Sequence, residues 1–500
     1  MAETYDKDVR SIQEARWAAE SAYEAYLEFF DSSQENIDRV CRAMAEAAYE
    51  ASARLGRMAH EETGYGVPDH KRLKNEFSSR NVWESIKDVP TVGVIERDDA
   101  KGVLKIAWPT GVVAALSPST NPTSTIMFKT LIAVKARNAI VHAPHPAAVN
   151  ACLETTRVMA QAAQAEGAPP NLVQCLSTVH LDGTQELMRH KRTSLILATG
   201  GSEMVRAAHS VGKPAYGVGP GNVPCYVDRS ANLEQAARYI VGSKAFDHSV
   251  ICSTEQAVIA DRPIADELKE LMQQQGAYFA DPQQTEALRR TLFDPKGGIN
   301  VKTVGKSPQV LAQMAGIQVP ESARILVVPL QDVGPEEPLS REKLTTVLGW
   351  YVADGWRDGC DRCIDLIHFG GRGHSLVLHA EDDEVIMAFG LEKPVFRIVV
   401  NTVGTLGTIG LTTNVMPSMT LGPGGEGRSI TGDNITVHHL YNVKRLAFER
   451  NAPPPEIFKG DQVPASSGSG TSRTDRGGID EERIQEMVVK ILNEIQSERG

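Results

Sequence analysis

Residues 111 to 146 read GVVAALSPSTNPTSTIMFKTLIAVKARNAIVHAPHP, and three segments inside this stretch decide the fold. Val112 to Leu116 is a short apolar run bounded by turn residues, the pattern of a buried strand. Thr123 to Arg137 has helical periodicity, with Ile126, Leu131 and Val134 expected on one side. Ala139 to Val141 is apolar again, and Pro144 and Pro146 break it. Parallel strands need a crossover connection, so strand, helix, strand at this spacing reads as one βαβ unit. Outward toward the C-terminus the alternation continues. A helix is expected from about Ala147 to Ala163, a strand at Leu172 to Cys175, and another at Ser194 to Ala198 that runs into Thr199-Gly200-Gly201-Ser202 and a further helix. The expected fold class is α/β, with a right-handed, mostly parallel, doubly wound sheet. Toward the N-terminus, residues 8 to 62 read as helices, with Trp17, Tyr23, Tyr26, Leu27, Val40, Met44 and Leu55 at helical spacing until Gly64-Tyr65-Gly66. A second αβ region spans about 226 to 435, with strands such as Ala257 to Ala260, Ile325 to Val328, Ser375 to His379 and Arg397 to Asn401.

The chain has 500 residues, too many for a single core, so two or three domains are expected. Net charge is −11, which argues against a nucleic-acid binder, since replacing counterions on phosphates needs a basic face. Met1 to Arg10 is polar, with no apolar core of signal-peptide length, and no apolar run approaches the roughly 18–20 residues of a membrane span. The seven cysteines are scattered and odd in number, which fits a reducing cytosol and no disulfide framework. Cys360-Asp361-Arg362-Cys363 has no second pair at zinc-site spacing, so it reads as two helix thiols and no metal is expected. After Arg450 the composition changes. Pro453-Pro454-Pro455 and Ala465-Ser466-Ser467-Gly468-Ser469-Gly470 mark a flexible linker over 451–478. Beyond it, 479–500 reads as an amphipathic helix, with Ile484, Met487, Val488, Ile491, Leu492 and Ile495 on one stripe.

Chemistry enters at Phe246-Asp247-His248-Ser249-Val250-Ile251-Cys252-Ser253-Thr254-Glu255. Cys252 sits at an element boundary, after a polar stretch and before an apolar strand, where a side chain can face a cleft. Most cysteines are buried structural thiols, and on this segment alone the two readings stand level. A thiolate adds readily to a carbonyl, and the thioester it can form stays reactive.

This segment resembles the nucleophile segment of the CoA-acylating branch of the aldehyde dehydrogenase superfamily, and further motifs occur in that family's order from about residue 10 to 450. The resemblance implies a Rossmann-type dinucleotide-binding domain over 1–225, with an oligomerisation hairpin at about 88–110. It implies a catalytic domain over 226–435 and an oligomerisation strand over 436–450 that includes Leu440 to Arg445. Ser117 to Thr125 resembles the family's strand-to-helix turn. Asn121 is then the oxyanion donor, partnered by the backbone N–H of Cys252, with Ser119 and Thr120 near the cofactor. A preorganised donor of this kind contributes about 3–4 kcal/mol. Thr199 to Met204 resembles the cofactor turn, giving Gly200, Gly201 and Ser202 as dinucleotide contacts; without the GxGxxG spacing it is weak by itself. Gly217 to Pro224 is a second glycine cluster, expected to be a crowded turn beside the site, with Gly219 facing the cofactor.

Hydrolytic relatives carry a water-activating Glu where Val218 stands here, and no acid lies between Tyr216 and Val227. Without a general base, water should attack slowly, whereas a thiol needs less help, so coenzyme A is the expected acyl acceptor. Glu342 resembles the nicotinamide-ribose contact, though a carboxylate at a helix start would read the same way. His142 to Pro146 lacks the adenosine-ribose Lys of many relatives, so NAD is expected with NADP open. His374, in Gly373-His374-Ser375, matches the acylating branch without a derivable role. The tail resembles the encapsulation peptide of bacterial microcompartment enzymes. That implies a shell-protein partner for 479–500 and a lumenal location, with packing on its own oligomer as the other reading. A short-chain aldehyde substrate and a homodimer or homotetramer complete the expectation. The competing functions are a hydrolytic aldehyde dehydrogenase and a non-catalytic shell-associated scaffold.

Overall fold

The computed structural model describes residues 6–458. Its strands are β1 (Val94–Asp98), β2 (Val103–Pro109), β3 (Val112–Ser117), β4 (Ala139–Pro144), β5 (Val173–Cys175), β6 (Thr193–Thr199), β7 (Ala215–Val218), β8 (Val223–Val227), β9 (Glu255–Asp261), β10 (Ala277–Phe279), β11 (Ile325–Pro329), β12 (Val347–Ala353), β13 (Leu376–His379), β14 (Ile398–Val400) and β15 (Tyr441–Ala447). They pair into a five-stranded parallel sheet in the order β5-β4-β3-β6-β7 and a seven-stranded parallel sheet in the order β10-β11-β12-β9-β8-β13-β14. The third sheet, β1-β2-β15, is antiparallel. The α/β doubly wound expectation therefore holds twice.

Strands β3 and β4 are buried at every position, as parallel strands covered by helices on both faces must be. The helix Pro122–Lys135 between them departs from its expected one-sided pattern, because all fourteen of its residues are buried. It is enclosed by β3, β4 and the helices Gln34–Glu50 and Val149–Ala165, so each of its faces meets protein. Helix Lys7–Phe29 buries a stripe of Ala15, Ala18, Ala19, Ala22 and Ala25, small residues that let it lie close against the domain.

The expected division at 225/226 falls inside β8, a strand hydrogen-bonded in the seven-stranded sheet, so the second domain begins before Val223. Nor does the chain stay in that domain. Ile409, Met419, Leu421, Ile435, Val437 and Leu440 return to the core of the first. Sequence separation hides this, since no local pattern tells a segment which of two apolar cores it joins. The expected hairpin and the 436–450 segment meet as one unit, with β15 paired to β2 from Tyr441↔Pro109 to Ala447↔Val103. Trp108, Leu446 and Phe448 remain exposed on or beside this sheet. Among the described residues no helix is long and apolar enough to cross a membrane. The linker from 459 onward and the 479–500 helix lie outside the described residues.

Candidate active site

The chain runs outward from β3 to β5 on one side and from β6 to β7 on the other, so the strand order reverses between β3 and β6. Open α/β sheets bind ligands beyond the carboxyl ends of their strands at such a reversal. Asn121 comes after β3, Gly200 after β6 and Gly219 after β7, all at that edge. Across the cavity from that edge are residues that precede strands of the other sheet: Cys252 before β9 and Glu342 before β12, with His374, before β13, buried nearby. A cavity of about 470 Å³ lies where the carboxyl ends of one sheet meet the amino ends of the other. Its lining brings together Ser119, Thr120, Asn121, Gly200, Gly201, Gly219, Cys252 and Glu342. Ser202 is absent from this lining; it is an exposed residue in the first turn of helix Ser202–His209.

Asn121 precedes a helix starting with Pro122, yet its side chain makes no capping hydrogen bond. The amide instead donates from Nδ2 to the Val250 carbonyl at 3.1 Å and to Thr120 Oγ1 at 3.2 Å. Its Oδ1 accepts from the buried ammonium of Lys74. Asn121 is thus tied to the nucleophile loop two residues from Cys252.

The Cys252 thiol is half-buried. Burial pushes it up to about 12; the Glu342 carboxylate adds to the rise, while Arg397 and the backbone N–H groups of Cys252 and Ser253 oppose it. The resting sulfur is therefore protonated and needs an acceptor before it can attack. Glu342 is half-buried, and desolvation lifts its carboxyl to about 7 despite the 2.9 Å hydrogen bond it accepts from the Gly221 N–H. It lies in the irregular segment between the 3-10 turn Pro338–Ser340 and β12, not at a helix start.

The glycines divide by what surrounds them. A Cβ on Gly201 or Gly219 would meet nothing within 4 Å, and one on Gly200 only Met204 Cβ at 3.9 Å. Helix Ser202–His209 begins at Gly201 with no side-chain cap, which leaves its first N–H groups free to meet an anion. Open glycine turns beside an uncapped helix start fit a dinucleotide pyrophosphate. Gly221 is the opposite case. A Cβ there would sit 2.2 Å from the Cys252 carbonyl oxygen and 3.1 Å from the His374 ring. Only a glycine lets these two approach.

Near the thiol, the structure adds surroundings for His374, whose role the sequence left open, and residues that sequence reasoning missed. His374 is buried beside Gly221 with Nε2 unpartnered and Nδ1 3.1 Å from Ser375 Oγ; burial, reinforced by Arg397, lowers it to about 3 and keeps it neutral. Arg397 holds the His374 carbonyl at 2.6 Å and also bonds Asn434 Oδ1 and the carbonyls of Gly422 and Gly432. Its partners lie 23 to 37 residues away, beyond any motif. Ile409, Met419 and Leu421 also line the cavity. Cys360 and Cys363 are buried on helix Trp356–Phe369, away from this cavity, with Lys393 on the Cys360 sulfur.

A doubly wound sheet and a switch-point cleft with open glycine turns, whose lining also holds Cys252 and Asn121, define a dinucleotide-binding class of fold. The chain belongs to the aldehyde dehydrogenase family, whose model matches residues 1–284. Among curated relatives it is 40% identical over 454 residues to aldehyde-alcohol dehydrogenase 2 of Entamoeba histolytica, covering 88% of this chain and 52% of that protein. The chain thus spans about half the length of the first curated relatives it matches. An acetylating aldehyde dehydrogenase from Geobacillus thermoglucosidasius superposes with a TM-score of 0.89 at 48% identity, covering 90% of this chain and 99% of that one. A propionaldehyde dehydrogenase from the Clostridium phytofermentans fucose utilisation bacterial microcompartment gives 0.80 at 29% identity, covering 87% and 97%. A Rhodopseudomonas palustris propionaldehyde dehydrogenase with bound CoA and an acylated cysteine gives 0.80 at 28%, also covering 87% and 97%.

Proposed function

We propose that the protein oxidises a short-chain aldehyde to its coenzyme A thioester, with Cys252 as covalent nucleophile. The carrying observation is that Cys252, Asn121 and the uncapped Gly200-Gly201 turn open onto one cavity. A nicotinamide dinucleotide bound across that turn supplies the hydride acceptor. The chain's own residues do the rest. The Cys252 proton passes to a base; Glu342, near 7, suits this better than His374, near 3, because an acceptor works best close to the ambient pH. Sulfur adds to the carbonyl carbon, and the oxygen charge falls to Asn121 Nδ2–H and the Cys252 N–H. Departure of the hydride leaves a thioester on sulfur. The coenzyme A thiol then adds to that carbonyl, Cys252 leaves as thiolate, and one proton is released per turnover. The Rhodopseudomonas relative, with CoA bound and its cysteine acylated, supports this order.

Val218 stands at the buried end of β7, where a hydrolytic enzyme needs its water-activating acid. Glu342 favours the second reading, hydrolysis, since a carboxylate near neutrality inside the cleft could also activate water. NADH formation with and without coenzyme A decides between them. Strict dependence on the thiol is expected; equal rates without it, with free acid as product, would overturn the reading. We assign NAD, and NADP is the competitor to assay. The exclusion of a 2′-phosphate usually needs an acid at the end of the second strand, and here β4 ends on Ala143-Pro144 with His145 following, none of them acidic. The exposed β1-β2-β15 sheet is assigned to a homodimer or homotetramer, and the 479–500 segment to a shell protein of a microcompartment. Deleting 479–500 should leave turnover intact and abolish shell association; lost turnover would assign the segment to the oligomer.

A further inference from the structure

Helix Pro68–Glu76 carries two lysines three residues apart, Lys71 and Lys74, and both are buried. Residues at this spacing share a helix face, and both ammonium groups reach one carboxylate, that of Asp247, itself buried. Lys71 Nζ donates to Asp247 Oδ2 at 3.3 Å and to the Thr120 carbonyl at 3.2 Å. Lys74 Nζ donates to Asp247 Oδ2 and to Asn121 Oδ1. The other oxygen of Asp247 accepts the Val67 N–H at 2.7 Å, and the Asp247 N–H donates to His70 Nδ1 at 2.8 Å. One short helix therefore holds both the turn that carries Asn121 and the loop that carries Cys252.

That loop requires holding. Asp247, His248 and Ser249 are consecutive non-glycine residues with φ of 47°, 49° and 63°. Such left-handed residues each cost roughly 1–2 kcal/mol and persist where surroundings over-determine them. Gly66, at φ 69°, has no room for a Cβ, which would sit 1.9 Å from Asp247 Oδ1.

The charges are arranged for chemistry more than for stability. Two ammonium groups against one carboxylate leave a surplus positive charge in a dry interior, where even a matched pair adds little to folding. Burial would raise the Asp247 carboxyl, but Lys74 and Lys71 more than offset this and hold it below its ordinary value. The surplus lies against the amide that faces developing oxyanion charge. An ammonium on Oδ1 also polarises the amide and strengthens its N–H as a donor. With Oδ1 held by Lys74, Nδ2 turns to the Val250 carbonyl and to Thr120 Oγ1, in a turn that lines the cavity.

Building on the aldehyde-oxidising reading above, we infer that Lys74 is a positioning residue for the oxyanion hole: clamped between Asp247 and Asn121, it fixes which end of the amide faces the reacting carbonyl. It touches no substrate. The test compares full-length wild type, Lys74→Met, Lys74→Gln, Asn121→Ala and Lys74→Met/Asn121→Ala for NADH formation with coenzyme A, alongside melting. Asn121→Ala should lose on the order of a hundred- to a thousandfold in kcat. Lys74→Met should lose about thirty- to a hundredfold in kcat, with KM for dinucleotide and coenzyme A within about twofold. Lys74→Gln, a neutral donor, should recover to within about tenfold of wild type, and the double variant should be no slower than Asn121→Ala by more than about twofold. Equal losses from Lys74→Met with and without Asn121, or wild-type kcat in Lys74→Met, would overturn the inference. So would failure of both single lysine variants to fold, which assigns Lys74 to the core. A wild type that makes no NADH from any aldehyde sinks the underlying function instead.

Discussion

The two parallel sheets contribute to the cleft from opposite ends. The five-stranded sheet offers the turns beyond its strands' carboxyl ends: the Asn121 turn, Gly200-Gly201 and Gly219. The seven-stranded sheet offers residues just ahead of its strands' amino ends: Cys252 and Glu342 on the lining, with His374 buried beside Gly221. On the first side the turns after β6 and β7 are open and solvated, suited to a ligand that comes and goes. On the second the groups are crowded and dry, so their proton affinities are displaced: the thiol upward, the carboxyl upward, the imidazole downward. On the proposed function the division is one of labour, with binding assigned to the carboxyl ends and bond-making to the amino ends. Asn121 is the crossing point, since it belongs to the first sheet but is tied by Val250 and Lys74 to the second side.

The largest effect should come from the crowded side. Cys252→Ala should lower turnover by roughly ten-thousandfold or more, with dinucleotide affinity retained in equilibrium titration. Appreciable turnover in that variant would end the covalent mechanism and the comparison with it. The open side should respond differently. Gly201→Val places a side chain where nothing stands within 4 Å, so it should fold normally. KM for the dinucleotide should rise about tenfold with kcat within about twofold, by removing approach to the turn. A fall in kcat at unchanged KM would break the division.

The smallest effect sharpens it through stability. Glu255, at the start of β9, is buried, and that burial lifts its carboxyl to about 7 from an ordinary 4.5, although Ser243 Oγ donates to it at 2.5 Å. The folded state keeps this proton longer than the unfolded chain, so stability should fall as pH rises from about 4.5 to 7 and level off above. Glu255→Gln should melt like wild type near pH 4 and a few degrees higher at pH 8, by calorimetry. A variant that melts lower at pH 8 would mean the ionised carboxylate is used by the fold.

The βαβ frame is legible in the sequence because its apolar runs are bounded by Pro, Gly and Asn, and β3, β4 and β6 fall within a few residues of expectation. Cys252 and Asn121 are legible only as members of a motif series. The features that stay hidden have two causes, distance along the chain and misleading local composition. Lys74 meets Asp247 across 173 residues, and nothing near Lys74 in sequence marks it as more than a surface lysine. Strand β12 is masked because Val347 to Val352 includes Gly349 and two aromatics and reads as a continuation of the Glu342 segment. The full burial of helix Pro122–Lys135 is masked by Thr123, Ser124, Thr125, Lys129 and Thr130, polar residues that mimic a solvated face. Lys129 is satisfied inside by the Leu116 and Leu197 carbonyls.

Gly221 has a consequence for how this cleft can change. The wall beside the thiol has no space to give, because any side chain there strikes the Cys252 carbonyl. Adaptation to bulkier substrates must draw on other lining residues, and Ile409, Met419 and Leu421 are apolar candidates. Those three side chains also pack into the core of the first domain. Carving room there leaves a void in that core, so breadth of substrate range and thermal robustness are bound to trade against each other in this scaffold.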